Sequence, residues 1–529
     1  MPESEKKYVI GMDCGTSNMK AIILSNAGEV VAEESRPVTS INLGNGAVEQ
    51  NPEEWWKNAV SIFKGLMLKI GENQKERVSA LAISSHTVTM LPLDENKRPL
   101  RNALTCQDGR SGKEMHRIVN QIGKERFSEI VGGQPAVAFL PNKIEWYRTH
   151  EPELFEKTKY YIQASSYLNM KLTGVMVTDL DQAARTQCMD VNTQTWSKEI
   201  GTALRVDLEK VMPELKKVDD IIGTITKETA GETDLPEGIP VLAGCSDALA
   251  SMYAMGLCRI GEAGESSGTT SLVFAGTTEK SASNLPLVTK PCPIEGMPWI
   301  CDAPIQSTGS SIKWFIDHMA EEEKKEAEKR NLNIYTYLNE LALESEPGAN
   351  GVIFYPYLLG ERAPLWNEYA RGMFIGLGMD TQRCDLVRAV FEGTAFALRH
   401  VAETIKATGT KIETLRICGG GAKSRTWCQI KASMLRVPVL LLDEKSGDVP
   451  VGAALLAGHK VGIFPDLEKA VESIIKVKEI IYPVEEWADV YDQLYPFYIE
   501  MYQKLDVSLK NLRNTAEHIS VCNKKKKQC

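Results

Sequence analysis

An acidic residue, a glycine, two hydroxyls and a lysine lie together near the start of the chain, between two apolar runs. They are Asp13, Gly15, Thr16, Ser17 and Lys20, and the flanking runs read as two strands joined by a tight turn. Backbone N–H groups around such a turn can bind phosphate oxygens, and a carboxylate at a strand end can hold Mg²⁺ or its waters. The stretch predicts a phosphate- and metal-binding turn, although an ordinary hairpin explains it equally well when it is taken alone.

Two later segments repeat this small-residue chemistry beside apolar, strand-like runs. Gly268, Thr269 and Thr270 precede the apolar residues 272–274, and the glycine-rich segment 418–424 follows the strand-like run 414–417. A nucleotide has terminal phosphates, inner phosphates and a base with its ribose, so three such turns suit one nucleotide. For the third segment alone, the alternative is an ordinary helix entry, since glycines often open helices.

The elements that must position these turns form two halves of similar plan. Strand-like and helix-like segments recur in both halves, and each half opens with a predicted phosphate turn. This pattern predicts an α/β fold with two domains that flank a cleft. It resembles the duplicated ribonuclease-H-like, actin-type ATPase fold. We expect domains at residues 8–250 and 257–460, followed by a C-terminal helical extension with a basic tail at residues 461–529.

Size and composition limit the class of protein. At 529 residues the chain exceeds what one core supports, and a net charge of −9 argues against a nucleic-acid partner. No apolar segment reaches the roughly 20 residues of a membrane span, and the charged N-terminus lacks a signal-type apolar stretch. The 12 cysteines form no Cys-x-x-Cys pair, which indicates reduced thiols rather than a disulfide frame or a zinc site. We therefore expect a cytoplasmic protein without membrane contact.

Two signature segments resemble those of the FGGY carbohydrate kinase family, and the likeness extends from about residue 8 to about 460. Residues 141–150 read PNKIEWYRTH, similar to the first family signature. Residues 372–377 read GMFIGL and, after seven residues, 385–392 read DLVRAVFE, which fits the second signature. Within the family the chain is most similar to the xylulokinase type, through residues 48–56, 108–110 and 360–364. Without this resemblance, residues 385–398 read as an amphipathic core helix.

The resemblance implies a kinase that uses ATP and Mg²⁺, with the first domain binding a sugar and the second the nucleotide. Asp247 matches the general base that takes the proton of the attacking hydroxyl, although Asp at a helix start is also a common N-cap. Asp13 matches the metal-associated carboxylate, and Lys20 would offset charge on the transferred group. The ATP-binding residues implied are Gly15, Thr16, Ser17, Lys20, Gly268, Thr269, Thr270, Gly309, Lys313, Gly420, Gly421 and Ala422.

The predicted sugar pocket departs from the family pattern. The substrate residues implied are Gln50, His86, Thr87, Val88, Asp108 and Asp247. Thr87 and Val88 stand where xylulokinases carry Met-His and glycerol kinases Arg-Glu, and Ala248 replaces an Asn or Gln after the base. His86 either replaces the missing imidazole or is merely packed. Specificity for hydroxyls requires paired polar groups, so we expect a pentulose or related ketose, with another polyol, a sugar acid or a deoxy sugar as the alternative.

Two other classes of function remain open from sequence. An actin-like ATPase, either a chaperone or a filament subunit, would use the same turns but would not need Asp247 or the second signature. A catalytically weak sugar sensor would bind its ligand in the altered pocket without turnover. The aromatic residues of the C-terminal extension have helical spacing, and they cover either their own domain or a partner in a possible homodimer.

Overall fold

The computed structural model describes residues 7–282, 285–443 and 446–528, with side chains described as far as residue 516 and at Ile519. The side chains of the predicted basic tail, Lys524–Lys527, therefore lie outside the described part of the chain. The backbone forms two large mixed sheets with helices packed around them.

The first half alternates strands and helices. Its strands are β1 (Tyr8–Cys14), β2 (Asn18–Ser25), β3 (Val30–Pro37), β4 (Ile41–Gly44), β5 (Ala47–Gln50), β6 (Val78–Ser85), β7 (Leu91–Leu93), β8 (Ala103–Leu104), β9 (Tyr160–Ile162), β10 (Val177–Asp179), β11 (Met189–Asp190), β12 (Thr195–Trp196), β13 (Glu214–Lys216), β14 (Ile221–Thr224), β15 (Pro240–Leu242) and β16 (Cys245–Ser246). Its helices are α1 (Pro52–Ile70), α2 (Glu72–Lys75), α3 (Gly112–Ile122), α4 (Lys124–Val131), α5 (Leu140–His150), α6 (Pro152–Lys157), α7 (Ala164–Thr173), α8 (Leu180–Arg185), α9 (Lys198–Leu204), α10 (Leu208–Val211), α11 (Lys227–Thr233) and α12 (Asp247–Met255).

The second half has fewer strands and longer helices. Its strands are β17 (Glu262–Ser267), β18 (Ser271–Thr277), β19 (Val288–Pro291), β20 (Trp299–Ile305), β21 (Ile353–Tyr355), β22 (Met373–Ile375), β23 (Thr414–Cys418), β24 (Val439–Leu442) and β25 (Val477–Ile481). Its helices are α13 (Gly309–His318), α14 (Glu321–Lys329), α15 (Ile334–Leu343), α16 (Arg383–Lys406), α17 (Arg425–Leu435), α18 (Val449–Lys460), α19 (Leu467–Ile474) and α20 (Glu485–Gln528), with short 3-10 helices at Ala349–Gly351 and Gly420–Lys423.

The two large sheets share one topology. In the first, β1, β2 and β3 are antiparallel neighbours, and β6 and then β15 continue in parallel from β1. In the second, β17, β18 and β20 are antiparallel neighbours, and β23 and then β24 continue in parallel from β17. The predicted α/β fold of two ribonuclease-H-like domains is confirmed, and the turns after β1 and β17 occupy corresponding places.

Local sequence explains how the first sheet is covered. Helix α1 begins with Pro52 at its first position, and the side chain of Asn51 accepts a hydrogen bond from the Glu53 N–H, as an N-cap does. Its buried face, which includes Trp55 and Phe63, packs into the same apolar core as β1 and β6. That core fixes the ends of the strands from which the candidate site is built.

Helices α12 and α18 join the halves, because both contribute to one apolar core with strands of each sheet. Close approach requires glycine at two points. A Cβ atom on Gly11 of β1 would lie 1.9 Å from the Pro450 carbonyl oxygen, and one on Gly452 would lie 1.9 Å from the Ala250 carbonyl oxygen. Since such distances are far below van der Waals contact, α18 lies directly against the strand that carries Asp13.

Candidate active site

The first predicted phosphate turn joins β1 to β2. The Gly15 N–H donates to the Asn18 carbonyl at 3.1 Å and closes the turn, which leaves Ser17 exposed. Asp13, at the end of β1, accepts a hydrogen bond from the Ser84 hydroxyl at 2.9 Å. Burial raises the pKa of Asp13 well above its usual value, and the nearby Asp247 carboxylate raises it further. The two carboxylates thus lie close enough to interact, and a cation between them would be favoured.

Asp247 is the first residue of α12, and its neighbour Ser246 is the N-cap. The Ser246 hydroxyl accepts the Leu249 N–H at 3.0 Å, so the capping role that was the alternative for Asp247 belongs to Ser246. Within the described part of the chain, the hydrogen bond found for the Asp247 carboxylate is the one it accepts from the Ala248 N–H, at 2.8 Å. Burial raises the pKa of Asp247 to about 6, against the opposing effect of Arg185. At neutral pH the carboxylate is ionised and has room to accept a further proton or hydrogen bond.

A buried ionic cluster behind Asp247 was not anticipated from sequence. Arg185 of α8 donates to Asp181 at 2.9 Å and also forms an ion pair with Asp302 of β20, in the other half. Asp181 in turn accepts the Ser246 N–H at 2.9 Å. The cluster therefore fixes the start of α12 and ties the two halves together at the same point. Asp302 lies 117 positions from Arg185, so no local motif indicates the cluster.

Lys20 meets a second residue that sequence reasoning missed. Its ammonium lies 2.8 Å from an Asp448 carboxylate oxygen and 3.3 Å from Glu33. Burial alone would lower the pKa of Lys20, but the hydrogen bonds and negative charges of Asp448 and Glu33 together outweigh this and raise the pKa. Asp448 precedes α18, and a Cβ on its neighbour Gly447 would lie 2.7 Å from the Cβ of Cys418, at the start of the third turn. The first and third turns thus meet across this loop.

The second turn joins β17 to β18 and rests on the start of α13. The Gly268 N–H donates to the Thr270 carbonyl at 3.0 Å, and the Gly309 N–H donates to the Gly268 carbonyl at 3.1 Å. A Cβ on Gly309 would lie 2.3 Å from that carbonyl oxygen, which explains the glycine. Thr269 and Thr270 are exposed, as phosphate-binding hydroxyls must be.

The third turn packs against the second through Ser267. Gly421 lies so close to Ser267 that a Cβ would approach its hydroxyl to 2.1 Å, while Gly420 is exposed and Ala422 half-buried. Beneath both turns, the Lys431 ammonium contacts Glu265 at 2.8 Å and the Ser267 hydroxyl at 3.3 Å. Both ionic side chains are only 1% exposed. This ion pair supports the second and third turns together.

Three of the predicted substrate residues are already hydrogen-bonded within the protein. The Gln50 amide donates to the Thr16 carbonyl at 2.7 Å and accepts from the Trp55 indole at 3.1 Å, so it supports the first turn. Buried His86 shares a hydrogen bond of 2.8 Å between its Nδ1 and the Cys14 carbonyl, and burial lowers its pKa to about 4. Asp108 is fully buried and accepts hydrogen bonds from Arg110 and from a backbone N–H.

Thr87 and Val88 form the bend that follows β6. Val88 has a φ of 53°, a strained value for a β-branched residue. Its carbonyl accepts a hydrogen bond of 2.6 Å from Lys143, which also donates to the Thr105 carbonyl at 2.7 Å. Burial lowers the pKa of Lys143 to about 8. The lysine of the first signature therefore stabilises the bend that presents Thr87 and Val88.

Two further predicted groups lie on helices. Lys313 of α13 is mostly exposed and pairs with Asp317 at 2.8 Å, one turn further along. In the second signature, Asp385 forms a capping box with Gln382 at the start of α16. Glu392 is buried against Arg388 at 2.6 Å. The acidic positions of the second signature therefore stabilise α16, in keeping with the core-helix interpretation.

Two sheets of one plan, with small-residue turns at corresponding strand ends, define a two-lobed phosphotransferase class. The N-terminal domain profile of the FGGY family of carbohydrate kinases matches residues 8–254, and the C-terminal domain profile of that family matches residues 265–461. The chain belongs to this family and is a carbohydrate kinase. The family assignment disfavours the actin-like ATPase alternative, and ATP is the phosphoryl donor of such kinases.

Full-length relatives carry two different substrate names. Xylulose kinase of Bacillus subtilis is 29% identical over 511 residues, which cover 96% of this chain and 99% of the relative. Gluconokinase of the same organism is 27% identical over 516 residues, covering 94% and 96%. The crystal structure of xylulose kinase from Rhodospirillum rubrum has a TM-score of 0.87 and 28% identity, covering 95% and 100%. None of the helices in the described part of this chain has the length and apolar character of a membrane span.

Proposed function

We propose that the protein transfers the γ-phosphoryl group of ATP to a hydroxyl group of a small ketose, most similar in class to xylulose. The observation that carries this proposal is the interacting pair Asp13 and Asp247 beside the first turn, with the second and third turns presented by the other half. We also propose the division into a sugar-binding domain at residues 8–250, a nucleotide domain at 257–460 and a helical extension at 461–529.

Asp247 serves as the general base. The acceptor oxygen forms a bond to the γ-phosphorus while the bond between that phosphorus and the bridging oxygen of ADP breaks, and the hydroxyl proton passes to the Asp247 carboxylate. Its raised pKa makes it a stronger base than an ordinary aspartate while leaving it ionised at neutral pH. Arg185 and Ser246 hold its backbone and charge in place.

Asp13 is the residue suited to hold Mg²⁺. Its pKa is raised by burial and by Asp247, so the pair carries uncompensated negative charge that a cation would relieve. Among the described residues no group of three or more His, Cys, Asp or Glu could hold a metal. Phosphate and water oxygens would therefore complete the coordination, as is usual for Mg²⁺. Bound Mg²⁺ would neutralise phosphate charge.

Phosphate contacts are assigned to the exposed hydroxyls and to Lys20. Ser17, Thr269 and Thr270 are exposed, and each lies in a turn made of small residues. Lys20 would exchange Asp448 for phosphate oxygens, because a phosphate carries more charge than one carboxylate. The remaining predicted ATP contacts, including Gly420 and Lys313, belong to the same proposal.

The acceptor is assigned to the ketoses because several full-length relatives of this chain are xylulose kinases. A sugar acid is the second candidate, favoured by the gluconokinase likeness. Thr87 and Val88 offer one hydroxyl and one apolar side chain, so we expect the protein to tolerate fewer acceptor hydroxyls on that side than a Met-His pocket does.

An ADP-release assay with ATP and Mg²⁺ against ketoses, pentitols, tetritols, glycerol, gluconate and deoxy sugars tests this proposal. We expect one ketose to stimulate ADP release strongly over the sugar-free background. A Thr87→Met, Val88→His double variant should then shift preference toward D-xylulose, with Thr87→Ser as the matched mild change. Sugar binding by calorimetry without any phosphorylation would instead favour the sensor, and high hydrolysis independent of sugar would contradict the kinase.

A further inference from the structure

A cavity of about 840 Å³ lies between the two halves, on the side of the first lobe that carries Asp108. Its walls include Arg110 and Trp146 from the first half and Gln306, Glu361 and Arg362 from the second. This volume is within the range of small-molecule sites. A space bounded by both lobes would be shaped by their closure, so its chemistry bears on which acceptor is held during transfer.

Glu361 brings an unsatisfied polar group to this cavity. Its side chain is 4% exposed, and one carboxyl oxygen accepts the N–H groups of Gln306 at 2.7 Å and Arg362 at 2.8 Å. The other oxygen, Oε2, is buried and has no hydrogen-bond partner among the described residues. Burial raises the pKa of Glu361 to about 8, so at neutral pH the group keeps its proton and can donate. A buried polar atom without a partner requires an explanation, and a bound ligand or water is one that fits an atom beside a cavity.

Two arginines of the cavity, Arg110 and Arg362, differ in how many partners they already have within the protein. Arg110 is held by Asp108 at 2.7 Å and Glu49 at 2.8 Å, and its guanidinium stacks on Trp146 at 4.8 Å. The Arg110 side chain is therefore held in place as part of the cavity wall. Arg362 donates through Nε to the Gln306 side chain at 2.6 Å, and no other side-chain hydrogen bond of Arg362 is found in the described chain. Hydrogen-bond donors and carboxyl groups, Glu361 among them, thus line the cavity, which suits a ligand rich in oxygen.

Cys106 is within electrostatic range of a residue of this cavity and of a candidate catalytic residue. Arg362 lies within electrostatic range of Cys106. Cys106 in turn contacts the Thr16 hydroxyl at 3.7 Å and lies within electrostatic range of Asp247. A ligand that extends from the Asp247 carboxylate past Cys106 would therefore enter the space that Glu361 faces.

We propose that this cavity receives the non-reacting end of the acceptor and that Glu361 hydrogen-bonds one of its hydroxyl groups. The inference rests on the proposed function and adds a specificity-determining residue to it. Asp108, predicted from sequence as a substrate contact, then acts by holding Arg110, while the direct contact comes from the other lobe. Because Glu361 joins the site only when the halves are together, acceptor binding and lobe closure are coupled.

The loop next to Glu361 is held by hydrogen bonds to helix α20, which favours a preformed site. Asn367 donates to Asp506 of α20 at 2.5 Å and to the Tyr502 hydroxyl at 3.2 Å. Arg513 donates to the Glu368 carbonyl at 2.7 Å. These contacts fix the loop 366–369 before any ligand arrives, so little ordering entropy opposes binding.

Kinetics of two Glu361 variants test the inference with the acceptor that responds in the ADP-release assay. Glu361→Leu should raise the KM for that acceptor about tenfold or more, with kcat and the KM for ATP within about twofold, because the acceptor loses a hydrogen bond while no ATP contact is removed. The variant also removes the oxygen that accepts the Gln306 and Arg362 N–H groups, so its folding is checked first. Glu361→Gln keeps a donor and should retain the wild-type acceptor KM measured at pH 7. The matched control is Glu346→Leu, the same change at an exposed position of the same lobe.

A pH series keeps the test decisive if Glu361→Leu folds poorly. Ionisation above a pKa of about 8 changes Glu361 from a donor into an acceptor toward that hydroxyl, so the wild-type acceptor KM should change between pH 7 and 9, while that of Glu361→Gln stays level. An unchanged acceptor KM in a folded Glu361→Leu protein, or parallel pH profiles of wild type and Glu361→Gln, would overturn the inference alone. A wild-type protein that phosphorylates no acceptor would remove the proposed function, and this inference with it.

Discussion

The two phosphate turns occupy corresponding places in sheets of the same topology, yet they carry different chemistry. The turn after β1 has ionic groups directly beside it, with Asp13 at the strand end and Lys20 on the next strand. At the end of β17 the neighbouring residues are serines, and the charges are buried beneath the turn as the pair Glu265 and Lys431. From this comparison we propose that the first lobe supplies charged groups to the reaction, whereas the second lobe supplies a turn that is uncharged at its surface and held by a buried ion pair.

The largest effect is expected at Asp247, on the reactive side. Asp247→Asn removes the proton acceptor but keeps the size of the side chain and an oxygen for the Ala248 N–H. We expect kcat to fall about 10³-fold, within the range for loss of a general base, while ATP affinity measured by calorimetry stays close to wild type. An equal loss of ATP affinity or of folding would mean that Asp247 mainly stabilises the start of α12.

On the supporting side, the expected loss is in stability. Lys431→Met leaves Glu265 buried without its cation, which typically costs about 3–5 kcal/mol in the free energy of unfolding. Removing both charges, as Glu265→Gln with Lys431→Met, should restore much of this, because no unpaired charge remains. Urea denaturation checks the order of midpoints. The exposed pair of Lys329 and Glu326 gives the control, since Lys329→Met should leave the midpoint unchanged.

A smaller effect on kcat is expected at Lys20, and it should differ from the effect at its ion-pair partner Asp448. Lys20→Met should lower kcat by about 10²-fold, because a cation that stabilises the transferred group is lost. Asp448→Asn should have a much smaller effect, because it frees Lys20 rather than removing it. Steady-state kinetics with saturating ATP provide the comparison, and Lys20→Arg keeps the charge as a control. Equal losses in both single variants would show that the ion pair serves only to hold the lobes together.

The smallest expected effect is the dependence of kcat/KM on pH. Since the pKa of Asp247 is raised to about 6, its base form is lost as the pH falls through that value. We expect kcat/KM to fall about tenfold per pH unit below about 6 and to be level between pH 7 and 8, a profile that reports groups of the free enzyme. Circular dichroism at each pH separates this from unfolding. A level profile down to pH 5 would contradict the base assignment.

Sequence reasoning recovered the turns and the α/β plan because both depend on local signals. Small residues after an apolar run mark Gly15 and Gly268 without any knowledge of the rest of the chain. It missed Arg185, Asp302 and Asp448, because each meets its partner across the lobes and lies in a stretch with no motif. It also assigned Asp108 to the substrate without the means to see that Arg110 already satisfies it.

Glu361 also shows what sequence reasoning cannot supply, although here the residue itself lies in a recognised motif. The sequence placed it in a motif of the family resemblance, but only the folded chain shows that one of its carboxyl oxygens is satisfied by backbone N–H groups and the other is not. Hydrogen-bond satisfaction is a property of the three-dimensional packing, so a motif can indicate that a residue matters without indicating which of its atoms is available.

The long C-terminal helix α20 supports the Glu361 cavity, although the residues of that cavity lie far away in the sequence. Through Tyr502, Asp506 and Arg513 it holds the loop that borders the Glu361 cavity. Proteolytic trimming, a fused tag or a premature stop codon beyond residue 500 would therefore change acceptor affinity while leaving both sheets intact. Purified samples that lack Tyr502, Asp506 and Arg513 should therefore differ in acceptor affinity from the full chain, and a partly trimmed preparation would behave as a mixture of two enzymes.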